Sequence, residues 1–132
     1  MRATFDTHAL IWYLLSDSRL SIVARSLLDE IFQSGDSVGI PSICLVEIVY
    51  LVEKQRVPDH TLDLLQRELR ERDKFFVVVS LDEQIALRVA DIDRATVPEL
   101  PDRVIAATAL HLGVPLITRD HKIHASGIET IW

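Results

Sequence analysis

Cysteine is nearly absent from this chain: the single residue Cys44 cannot form an internal disulfide, and its place in an apolar run reads as a small core side chain without a redox role. Long hydrophobic runs are missing too. The longest near the N-terminus, Ala9 to Leu15, falls far short of the roughly 20 residues that span a bilayer and has no charged leader of the signal type, which predicts a cytosolic protein without a membrane partner. Positive charge is not in excess either. A formal net charge of −6 argues against a protein that coats nucleic acid by bulk electrostatics, so any polyanion must be held locally. The basic residues available for that are Arg19 and Arg25, Lys54 and Arg56, Arg103, and the run Arg119, His121, Lys122, His124; lone basic residues ordinarily face water. The histidines (His8, His60, His111, His121, His124) show no zinc spacing. There is no repeat, low-complexity tract or linker.

What is present is the composition of one compact domain spanning residues 1–132, with 48% hydrophobic and 26% charged residues. Short β-like runs alternate with amphipathic helices, the pattern of a doubly wound α/β fold in three layers, with a central, mainly parallel sheet covered on both faces. Arg2 to Phe5 is the first strand and Thr7 to Leu15 a brief helix. Leu20, Val23, Leu27, Leu28 and Ile31 recur at helical spacing, with Ser18 or Ser21 as the cap and Gly35 at the C-terminus. Ser37 to Ile40 predicts a strand, and Ser42 an N-cap for a helix over Ile43–Lys54. From Ile43 to Val52 only Glu47 is neither apolar nor aromatic, which predicts a helix buried around most of its circumference with Glu47 deep inside. Pro58 opens a helix through about Arg72 with a Leu62, Leu65, Leu69 stripe. Phe75 to Val79 predicts a buried strand, and Asp82 caps a helix to about Asp91. Thr96 to Pro101 is a loop, Asp102 to Leu112 a helix closed by Gly113, Leu116 to Thr118 a strand, and Ile128 to Trp132 an edge strand.

Four acids, Asp6, Glu47, Asp102 and Asp120, stand where these apolar segments end or are interrupted. A carboxylate beside packed hydrocarbon is costly unless a cation meets it. Asp6 and Asp120 follow strands, and in an open parallel sheet the crevice beyond the strands' carboxyl ends is where ligands bind. Asp102 opens a helix from the same edge, and Glu47 lies in the second turn of its helix. Each has a plainer explanation: Asp102 complements a helix dipole, and Asp6 and Asp120 make local turns. Together, four converging carboxylates repel one another unless cations neutralise them, and hard oxygen donors suit Mg²⁺ or Mn²⁺ better than zinc.

The strings FDTHALIW (5–12), SICLVEIVYLVEKQRV (42–57) and PDRVIAATALHLGVPLITRD (101–120) resemble the PIN-domain ribonucleases, in particular the VapC-type toxins of bacterial toxin–antitoxin pairs. The resemblance spans nearly the whole chain. It implies a PIN-like fold, an Mg²⁺- or Mn²⁺-dependent endoribonuclease, inhibition by a cognate antitoxin whose arginine reaches the carboxylates, and a homodimer. Asp6, Glu47, Asp102 and Asp120 match the family's acids. Thr118 matches a supporting hydroxyl, and Glu99 and Asp93 stand near a position where a further acid is often found. The chemistry implied is in-line hydrolysis of an RNA phosphodiester by metal-activated water, leaving a 5′-phosphate and a 3′-hydroxyl. The apolar surface of Leu20–Phe32 and Ile43–Leu51 points to the same homodimer. Two rivals differ in class. A receiver-type Mg²⁺-binding signalling domain needs an acceptor aspartate after its central strand, where the Ser37–Ile40 strand is followed by Pro41 and Ser42. A non-catalytic PIN-fold binding module gains nothing from clustered negative charge without metal. Choosing RNA over DNA rests on the resemblance alone.

Overall fold

A computed structural model describes residues 1–71 and 74–132. Five parallel strands form one sheet: β1 (Ala3–Phe5), β2 (Val38–Pro41), β3 (Phe76–Val79), β4 (Leu116–Ile117) and β5 (Thr130–Ile131), in the spatial order β3-β2-β1-β4-β5. Parallel neighbours need crossovers, and the helices supply them: α1 (Thr7–Leu14), α2 (Ile22–Ser34), α3 (Ser42–Glu53), α4 (Thr61–Glu71), α5 (Glu83–Arg88), α6 (Leu100–Leu112) and α7 (His121–Ala125). The strand order reverses between β1 and β4, which places the switch point of the sheet between two strands buried at every residue. No helix among the described residues is long and apolar enough to cross a membrane.

The core is built on the alternation expected of such a sheet. β1 is buried at every residue, Phe5 meets Tyr13 and Phe76 at centroid distances of 6.0 and 5.9 Å, and Leu10, Leu28, Ile31, Ile48 and Ile105 close the helical sides. Gly39 in β2 is closely surrounded: a Cβ there would stand 2.7 Å from Met1 Sδ, whose flexible side chain would have to shift, and 3.1 Å from Thr4 Oγ1, whose hydroxyl donates to the Gly39 carbonyl. Helix ends follow the caps in the sequence. Ser21 Oγ accepts from Ala24 N–H at 3.0 Å, Asp82 accepts from Ile85 N–H at 2.9 Å, and Gly35 and Gly113 close their helices in the left-handed conformation.

Several expectations are corrected. Ser42 is the first residue of α3 rather than its cap, and its Oγ instead accepts from Leu81 N–H at 3.0 Å, tying α3 to the chain after β3. The same helix is not buried all round: Cys44 and Ile48 are buried, whereas Val46, Val49 and Tyr50 lie open, and Glu47 is half-buried rather than deep. An unbroken apolar run records how greasy each face is, not which face meets the core. Val23 likewise points outward, with Ala24 taking the inner position. β3 is an edge strand with Val78 exposed, paired among the described residues with β2 alone. α4 starts at Thr61, past Pro58; Arg72, the expected end of that helix, lies outside the described residues. α6 begins at Leu100, because Pro101 is tolerated in a first turn whose N–H groups have no helical partner anyway. The short α7 has no counterpart in the sequence pattern.

Candidate functional site

Asp6 and Asp120 sit one and three residues past strands that are hydrogen-bonded neighbours, with Phe5 paired to Ile117 across the switch point. Both also cap helices. Asp6 Oδ1 accepts from Ala9 N–H at 2.8 Å at the head of α1, and Asp120 Oδ1 accepts from Lys122 N–H at 2.8 Å at the head of α7. The plainer explanation of these acids as local turn-makers therefore holds, and it does not displace the other. One carboxylate oxygen caps while the side chain remains at the strand edge.

Thr118 joins the two. Its hydroxyl accepts from Asp120 N–H at 3.0 Å and donates to Asp6 Oδ2 in a short hydrogen bond, so the buried threonine fixes the rotamer of one acid and the backbone of the other. A second hydroxyl does the same for Glu47: Thr7 Oγ1 donates to Glu47 Oε1 at 2.5 Å, reaching from α1 to α3. Sequence reasoning assigns Thr118 as an auxiliary and misses Thr7, whose only signal is its place directly after Asp6. Asp102 stands in the first turn of α6. Asp6, Asp102 and Asp120 line one cavity of about 310 Å³ together with His8, Trp12 and Arg119. Glu47 faces an adjacent apolar groove formed with Ile43, Val46, Tyr50, Leu51 and Pro101.

The electrostatics tie the four together more closely than the cavity wall does. Burial, followed by repulsion from Asp120, Glu47, Asp6 and Glu99 in that order, pushes the Asp102 carboxyl up to about 6. Asp6 is also raised, chiefly by burial, against the lowering effect of its Thr118 and Ala9 hydrogen bonds. Beneath them the Cys44 thiol is pushed up by burial and held neutral, in keeping with a core role. Glu99 is exposed at the helix entrance and acts on Asp102 through space, with no wall in the cavity. Asp93 belongs elsewhere: it is exposed and closes a turn, accepting from Ala95 N–H and Thr96 Oγ1. Of the basic candidates, Arg103 is spent on the Val89 and Ile92 carbonyls and Arg19 on Asp17. His124 Nδ1 is hydrogen-bonded with Thr130 Oγ1.

Among the described residues no three carboxylate, histidine or cysteine groups close around a single point in the way a protein-built cage does. What the cavity wall does offer is the carboxylates of Asp6, Asp102 and Asp120, and hard oxygen donors of this kind suit Mg²⁺, which keeps several waters and takes one or two carboxylates. The all-oxygen donor set and the unrelieved repulsion at Asp102 fit the same ion, or Mn²⁺.

A doubly wound parallel sheet with acids on both sides of its switch point defines an α/β domain with an acidic crevice where such sheets bind ligands. The PIN-domain family model matches residues 3–127, and the chain belongs to that family. It is 25% identical over 122 residues to Ribonuclease VapC22 of Mycobacterium tuberculosis (strain ATCC 25618 / H37Rv), covering 91% of this chain and 88% of that one. Among solved structures it is similar to VapBC2 from Rickettsia felis bound to a promoter DNA fragment, with a TM-score of 0.74, 15% identity, and coverage of 98% and 97% of the two chains. It is also similar to a toxin–antitoxin complex from Klebsiella pneumoniae, with a TM-score of 0.64, 28% identity, and coverage of 93% and 90%. The fold expected from the sequence, a PIN-like sheet flanked by helices, is the fold observed. The strand order also separates it from receiver domains, which share the flavodoxin-like order 2-1-3-4-5.

Proposed function

We propose that this protein is the RNA-cleaving toxin of a VapBC-type toxin–antitoxin pair, with residues 1–132 acting as one PIN domain. The observation that carries the reading is the junction at the switch point. Asp6 and Asp120, 114 positions apart in sequence, are joined through one buried threonine, with Asp102 in the same cavity and electrically strained by both. A surface with no use for a cation has no reason to gather these charges. RNA rather than DNA follows from the likeness to Ribonuclease VapC22.

Asp6, Glu47, Asp102 and Asp120 are the groups that would hold Mg²⁺ or Mn²⁺, directly or through water. When bound, the metal supplies a water of lowered pKa and stabilises charge on the phosphoryl oxygens. The chain's own residues do the rest. Thr118 and Thr7 keep Asp6 and Glu47 aimed by donating a hydrogen bond to one oxygen of each; Asp6 Oδ1 also accepts from Ala9 N–H, and each carboxylate oxygen has a second lone pair for a cation or water. The α1 and α7 caps hold the acids at the heads of two helices, where the backbone favours negative charge. Incubating RNA with purified protein and Mg²⁺ is expected to give 5′-phosphate and 3′-hydroxyl ends, with cutting stopped by EDTA. Cutting that persists in EDTA removes the metal from the reading, and intact RNA in Mg²⁺ removes the nuclease.

Two partners accompany this reading. A cognate antitoxin would lay a segment along the apolar groove beside Glu47, about 280 Å³ in volume, with an arginine reaching the carboxylates. A second copy of the chain would cover the open apolar residues of α2 and α3, where Ile22 is 84% and Val46 66% exposed. Size-exclusion chromatography with light scattering is expected to give twice the 15.0 kDa chain mass at micromolar concentration; a mass of one chain removes the dimer.

A further inference from the structure

Arg119 differs from the other arginines near the crevice. It is exposed, lines the same cavity as Asp6, Asp102 and Asp120, and is bridged by no carboxylate among the described residues, although three stand on the cavity wall. Its guanidinium lies instead over the Trp12 ring, 4.6 Å from the centroid. Arg19 lies over the same ring at 5.2 Å, but its charge is met by Asp17 at 2.7 Å. Two guanidiniums on one ring repel each other, and only one has its counter-charge. The ring itself is firmly placed, being 4% exposed and edge-on to Trp132 at 5.7 Å. Stacking on an aromatic face fixes the plane of a guanidinium and leaves its edge N–H donors free, the arrangement that suits a phosphate.

A polyanion approaching a chain of net charge −6 at an acidic crevice needs a cation fixed at the rim. We propose that Arg119, braced on Trp12, grips a phosphate of the RNA strand flanking the bond to be cut and so sets the strand's position over the acids. This rests on the nuclease reading above. The chemistry of recognition is that of a phosphodiester oxygen and carries no base preference.

The test uses the full chain with Asp6→Asn, expected to cut too slowly to consume the probe, and reads binding of fluorescein-labelled oligouridine by anisotropy over a range of salt. Arg119→Ala in that background is expected to weaken binding about tenfold, the scale of one charge-assisted hydrogen bond. It should also make the slope of log affinity against log salt shallower by about 0.7, as happens when one phosphate fewer is neutralised on a single strand. Arg119→Lys should restore the slope, since the charge returns without the fork. Arg2→Ala, at the opposite end of β1 and bridged to Glu30, should match the parent. In the otherwise wild-type chain Arg119→Ala should raise KM more than it lowers kcat. Unchanged affinity and slope in Arg119→Ala overturn the proposal, as does a parent that binds no oligouridine. A wild-type protein that cuts no RNA, beside a parent whose binding still loses its slope with Arg119, overturns the nuclease reading and leaves the phosphate grip standing.

Discussion

Asp6→Asn is expected to lower RNA cutting by about a thousandfold while leaving the fold as stable as before or more so. The two halves of this result come from different atoms. Loss of the charge removes a carboxylate that would face the metal, and stabilisation of this kind amounts to several kcal/mol at the transition state, so about three powers of ten in rate are at stake. The fold keeps what it needs, because asparagine caps a helix as well as aspartate and its oxygen can still accept from Ala9 N–H. The amide nitrogen then faces Thr118 Oγ1, which is able to accept. Burial makes the Asp6 charge costly in the metal-free protein, so neutralising it should hold or raise the melting temperature. Cleavage assays beside thermal melts in EDTA check both halves. Wild-type cutting by a folded Asn variant would remove Asp6 from the chemistry, and a large fall in the metal-free melting temperature would make it a structural acid.

Asp102 sets the second large effect, a dependence of stability on pH that metal reverses. Its ordinary value is 3.8 and its folded value about 6, so between those two the native protein holds a proton that the unfolded chain has released. Stability from this group is therefore complete below about pH 4 and is lost as pH rises through about 6. Because the crevice is open to water, the difference between about pH 5 and pH 8 is discounted to about 1 kcal/mol. Mg²⁺ acts in the opposite sense. On the proposed reading it would bind the native state with Asp102 ionised, so it should raise stability most at the higher pH, by an amount that grows with its concentration. Cutting should fall in acid, at a pH below about 6 that moves lower as Mg²⁺ is raised, because the cation favours the ionised Asp102. Denaturant titrations at both pH values, in EDTA and in Mg²⁺, measure this, with Asp102→Asn as the control that flattens the profile. Metal-free stability that climbs from pH 5 to 8 in wild type relative to Asp102→Asn would show that the four acids do not share one field.

The sheet and most helices are readable because local chemistry and tertiary demand agree in them. The caps at Ser21 and Asp82 and the stops at Gly35 and Gly113 each fall where the chain has written them. The same logic, a charge interrupting an apolar segment, singles out Asp6, Asp102 and Asp120, which line one cavity, and Glu47, which faces the groove beside it. What the sequence does not disclose is direction. α3 is apolar on nearly every side, so its periodicity cannot say that Val46, Val49 and Tyr50 face outward or that Glu47 is half-buried; packing against α1, α4 and α6 decides that. α7 spans five residues, too short for any periodic signal, and is announced only by Asp120 as its cap. Thr7 and Ser42 are hidden for another reason. Their partners, Glu47 and Leu81, lie 40 and 39 positions away, and a hydroxyl's choice of partner leaves no local trace.

The hydrogen bond from Thr118 to Asp6 spans 112 positions of sequence, and β1 reaches its place at the middle of the sheet only when β4 lies beside it. A polypeptide that has not yet brought Thr118 to Asp6 thus holds no assembled pocket, however much of the rest has folded. For a protein whose proposed work is to destroy RNA, closure of the sheet is itself a safeguard: a partly folded copy is an unarmed one.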